Sequence, residues 1–304
     1  MHDSLFSRFY GCCLGLVLGE TLALAHRSPA QARTTQTSNQ RWSTFPLQWL
    51  TALVQAGRWD LHTCPKGILR RGEAPLSAAE LAIATLPITL YFHQDLRQQR
   101  HYLGQIRQIR EADPLLGQQV LVIAYVVALA LRGQLQPTTL VPQVLAYLNV
   151  LSHASDRYPA PNPALVEQLH HLKTLAAQPV PLPIAAASLS QPNSDATLAI
   201  ALYTFLCTPT QWQLTLTRSL TWPQATPPLV ILLSLLSGAY NGAVGIPAHW
   251  QGATPPEASH SPAQLAALVT QFLALWAGVL PLSDRPIPLL QTLPISAPGR
   301  ISTP

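Results

Sequence analysis

Thirteen acidic side chains serve the whole 304-residue chain, against 18 lysines and arginines. Metal-assisted hydrolysis needs several oxygen ligands, mostly carboxylates, converging from separate segments to balance a divalent charge. Here the acids never form Asp-Asp or Asp-x-Asp. The closest pair, Glu111 and Asp113, stands just ahead of Pro114, where it reads as capping and dipole stabilisation of a helix. Glu20 is an isolated acid near the end of an apolar segment; it offers a lone general base, and a structural role suits it better. His170 and His171 are sequence neighbours on a helical pattern and cannot both face one metal, so they read as surface histidines. Cys12, Cys13, Cys64 and Cys207 form no Cys-x-x-Cys pair and read as buried free thiols. Neither a G-x-x-x-x-G-K phosphate loop nor a G-x-S-x-G nucleophile turn occurs, and nothing supports a redox or phosphoryl-transfer enzyme.

The elements that must position these residues read as helices throughout. With 48% hydrophobic and 10% charged residues there is ample material for a core, and 29 prolines divide the chain into short pieces. The reading is an all-α fold: a single compact multi-helix domain over residues 1–280 and a proline-rich, poorly ordered tail over 281–304. At its centre stands Leu229 to Trp250, apolar on every face from Leu229 to Leu236 apart from Ser234. Ser237, Gly238, Ala239 and Gly242 then allow another helix to approach closely, and Gly245, Ile246 and Pro247 are expected to end the element. Val120–Leu131 reads as a second fully buried helix, also of sub-membrane length. Asp95–Arg110 reads as a basic amphipathic helix whose Arg100, Arg107 and Arg110 form a solvated face. Further helices are expected over Gln134–Leu151, Ala164–Ala177, Pro262–Leu280 and from a cap at Asn193, Ser194 and Asp195 to Cys207. Ser28–Gln40 and Cys64–Ala79 (with Arg70 and Arg71) read as loops, and Pro179–Pro192 as either a loop or a strapped surface segment.

The net charge of +5 reflects a shortage of acids as much as a surplus of bases, and no nucleic-acid module accompanies it. The N-terminus has the outline of a secretory signal, but Gly15, Gly19 and Glu20 interrupt its apolar run. The expectation is a cytoplasmic protein with no membrane and no nucleic-acid partner.

Four stretches carry a resemblance. GAYNG with GIPAHW (residues 238–250), RFYGCCLGLVLGETLA (residues 8–23) with its ladder of Gly11, Gly15 and Gly19, RWSTFPLQWL (residues 41–50), and LSAAELAIATLPITLYF (residues 76–92) with Pro87 are similar to segments of the ADP-ribosylglycohydrolase family. The resemblance implies that family's helical fold and a cleft binding two Mg²⁺ or Mn²⁺ ions. It also implies which positions carry the chemistry, and there this chain departs. Glu20 keeps an acid at the end of the first helix, while the second acidic position falls on Arg27. Trp42 matches, but Ser43, Thr44, Phe45 and Pro46 stand where the family has Thr-Asp-Asp-Thr. Ala79, Glu80 and Ala84 replace cleft-lining Asn, Gly and Arg. Gln224, Ala225, Thr226, Pro227 and Pro228 replace Gly-Asp-x-Asp-Thr.

The expectation is a vestigial cleft lined by Glu20, Arg27, Trp42, Ser43, Thr44, Phe45, Ala84, Ala225, Thr226 and Pro227, with no cofactor, in a catalytically inactive module that binds an unidentified small ligand or protein segment. The alternative is a working metal-dependent hydrolase of ADP-ribosyl glycosidic bonds with an atypical site. A third option is a purely structural scaffold.

Overall fold

The computed structural model of the chain describes residues 4–26, 42–69, 77–110, 112–154, 160–190, 195–251 and 260–279, and every regular element among them is helical. In chain order these are α1 (Leu5–Ala25), α2 (Thr44–Ala56), α3 (Lys66–Leu69), α4 (Ala78–Ala84), α5 (Leu86–Tyr91), α6 (Leu96–Arg110), α7 (Pro114–Leu131) and α8 (Leu140–Ala154). There follow α9 (Pro163–Ala177), α10 (Leu182–Leu189), α11 (Thr197–Cys207), α12 (Trp212–Leu220), α13 (Pro227–Asn241), α14 (Ala248–Gln251) and α15 (Pro262–Trp276). Arg27, the stretch 28–40, Arg70, Arg71, Glu111, Asn193, Ser194 and the tail 281–304 lie outside the described residues.

The fold is built on α1 and α13, which run antiparallel in the tightest contact of the molecule. A Cβ added to Gly11 would stand 2.4 Å from the Gly238 carbonyl oxygen, and one added to Gly238 would stand 2.1 Å from the Gly11 carbonyl oxygen. Gly15 lies against the Ser234 carbonyl and Gly19 against Ile231 and Ser234. Only glycine leaves room for backbones this close, and the spacing of four residues keeps all three on one stripe of α1. Ser234, the single polar break in the apolar half of α13, donates its hydroxyl to the Gly15 carbonyl at 2.5 Å. Around this pair α7, α12, α14 and α15 pack on α1, and α4, α7, α11 and α12 pack on α13.

The caps follow the sequence. Ser4 accepts from the Ser7 amide to start α1, Asp113 caps α7, and Ser77 with Glu80 forms a capping box at α4. Asp195 accepts from the Thr197 amide at 2.9 Å at the head of α11. Cys12, Cys13 and Cys64 are buried, with thiols pushed up by burial, Cys13 and Cys64 to about 12.

Several boundaries differ from the expectation. α13 stops at Asn241, because Gly242 adopts φ 66° and ψ 178°, a backbone state open to glycine; Ala243–Gly245 then form a short 3-10 turn. Residues 179–192 hold a helix, α10, since Pro183 lies in its first turn, where a missing N–H costs nothing. The stretch expected to be a loop over 64–79 contains α3 and the first turn of α4. α8 begins at Leu140 rather than Gln134, the chain turning first at Gly133 with φ 67°. α15 ends at Trp276. The arginine face of α6 is half-buried rather than fully solvated: Arg110 donates to the Ile68 carbonyl at 2.8 Å, and the Arg107 stem lies on Gly117.

α7 is also longer than its apolar run, at 18 residues. It and α1 are long and apolar enough to cross a membrane, but 78% and 72% of their apolar windows are buried inside the fold. Both serve as core helices here.

His93, after α5, is fully buried. Its Nδ1 bonds the Leu90 carbonyl at 2.8 Å, and its ring packs against Phe9 and Trp276 at centroid distances of 5.1 and 4.9 Å. Burial, aided by the nearby Arg132 cation, lowers its pKa to about 4. The folded state thus holds it neutral, whereas the unfolded chain protonates it near the ordinary histidine value. Its contribution is complete above about pH 6.5 and is lost as pH falls toward 4, a difference on the order of 3 kcal/mol.

Two outcomes are expected. Gly238→Ala lowers unfolding stability in urea by about 3 kcal/mol, because neither backbone can retreat without breaking the helix pair. Between pH 6.5 and 5 the native chain loses stability more steeply than His93→Leu, and parallel pH profiles of the two would refute the buried neutral imidazole.

Candidate functional site

The antiparallel register that sets Gly11 against Gly238 and Gly19 against Ile231 brings the last turns of α1 toward the first turn of α13. α4 packs on α13, and α2 packs on α4. The elements carrying Glu20, Trp42 to Phe45, Ala84 and Ala225 to Pro227 therefore meet in one region.

Glu20 is 4% exposed and Ser43, just ahead of α2, 2% exposed. The Ser43 amide donates to Glu20 Oε1 at 3.4 Å, and the Ser43 hydroxyl donates to Glu20 Oε2 in a short bond. Both carboxylate oxygens are thus engaged by one residue. The neighbouring Trp42 donates its indole Nε1–H to Glu80 Oε1 at 3.4 Å. The other oxygen of Glu80 accepts the Ser77 amide at 2.8 Å, while the Ser77 hydroxyl takes the Glu80 amide at 3.2 Å. The dipeptide Trp42–Ser43 is held by two acids from two helices, α1 and α4.

Thr44 and Phe45 are half-buried in the first turn of α2, with Phe45 packed on the core. Ala84 closes α4 as a buried apolar residue. Ala225 is half-buried, its amide donating to the Trp222 carbonyl at 3.0 Å. Thr226 is exposed and precedes α13 without a side-chain cap, and Pro227 occupies the first helical position. Arg27 lies outside the described residues.

Glu80 is the site residue whose role sequence reasoning missed. The Ser77-x-x-Glu80 pattern ahead of an apolar run marks a helix start. Its second partner, the Trp42 indole, arises only from the packing of α2 on α4.

A family model for ADP-ribosylglycohydrolase matches residues 34–279. The chain belongs to the ADP-ribosylglycohydrolase family. That match begins after α1, so Glu20 and Arg27 precede it, and α1 joins the family resemblance through its glycine ladder. A solved structure described as an "ADP-ribosylglycohydrolase-related protein complex" superposes with a TM-score of 0.61 at 17% identity, covering 91% of this chain and 99% of that one. At that identity the likeness speaks for the fold. No curated protein matches the chain.

The family implies a pair of divalent cations, and the residues here do not fit them. Glu20 is the one carboxylate at the implied ligand positions, and its oxygens already accept from Ser43. Alanine and proline side chains at 225 and 227 offer no oxygen, and the hydroxyls of Ser43, Thr44 and Thr226 are neutral donors that hold such ions weakly without carboxylates. Among the described residues no group of three His, Cys, Asp or Glu side chains is placed to hold a metal ion.

A double-mutant cycle tests the Glu20–Ser43 contact. Ser43→Ala leaves a buried carboxylate short of a donor and is expected to cost about 2 kcal/mol. With Glu20→Gln the pair should show coupling of at least about 1 kcal/mol in urea unfolding, whereas additive effects would show that the contact contributes nothing of its own.

Proposed function

We propose that this ADP-ribosylglycohydrolase-family chain is catalytically inactive and acts as a binding or interaction module. The observation that carries this reading is the engagement of Glu20 by Ser43 at the place where the family's chemistry calls for a free carboxylate. Ala225 and Pro227 at the head of α13 support it, since neither side chain can ligate or move a proton. The region keeps Trp42 and Phe45 half-buried and Thr226 exposed, an apolar surface with hydroxyl edges that suits a weakly charged small ligand or a protein segment. The structurally similar protein is itself described as a complex, which favours an interaction role.

The purified chain, incubated with an ADP-ribosylated arginine peptide and Mg²⁺ or Mn²⁺, is expected to release no ADP-ribose above the protein-free rate. Release that depends on metal and is lost in Glu20→Gln would overturn the proposal. A rise in melting temperature with metal-free ADP-ribose would identify the bound chemistry, because a ligand that binds only the folded state raises its stability.

A further inference from the structure

We draw no further inference here: the strongest candidate, the basic outer face of α6 with Arg97 and His101 beside the half-buried rings of Trp59 and Tyr102, has those rings packed on the core, and nothing in the structure shows what covers its exposed cations.

Discussion

The backbones of α1 and α13 touch where Gly11 faces Gly238, at a separation that no side chain larger than hydrogen permits. Close approach at this point fixes the relative position of the two helices along their whole length. The hydroxyl of Ser234 then locks the register against the Gly15 carbonyl. Everything at the candidate site depends on this contact, because it sets the end of α1, with Glu20, against the start of α13. The surrounding helices bury the remaining apolar faces of the pair.

This arrangement lets the packing of the helix pair and the residues at its far end vary separately. The glycine ladder is a packing device, and changing any rung costs the fold directly. At the head of α13 the packing is looser, with Ala225 and Pro227 half-buried and Thr226 exposed. Glu20, which is buried, is satisfied by the amide and hydroxyl of Ser43. Glu80 plays a parallel part for Trp42. Direct hydrogen bonds between α1, α4 and the segment before α2 hold this region together.

The helical class, the central element and the tight approach of its small residues were legible because glycine spacing and apolar runs act locally. The cap at Asp113 was legible for the same reason. Helix ends were less so. Gly242 ends α13 earlier than the proline at 247, since a single backbone angle decides the matter. α10 was hidden because Pro181 and Pro183 look like breakers until one knows that Pro183 falls in the first turn. The buried arginine stems of α6 were invisible, because the pattern of charges along a helix does not say how much of each stem its neighbours cover. At the site, the missing acids were plain in the sequence. The partners of Glu20 and Glu80 were not, since both bonds cross between helices far apart in the chain.

Whether this region holds divalent metal is the question on which the rest turns. Electron paramagnetic resonance of Mn²⁺ reads that directly, because the six-line signal of the free aquo ion fades on binding. With the chain in excess over the metal at low micromolar concentration, the free signal is predicted to stay at its protein-free intensity. Loss of signal corresponding to two bound ions per chain, reversed by Glu20→Gln, would contradict it.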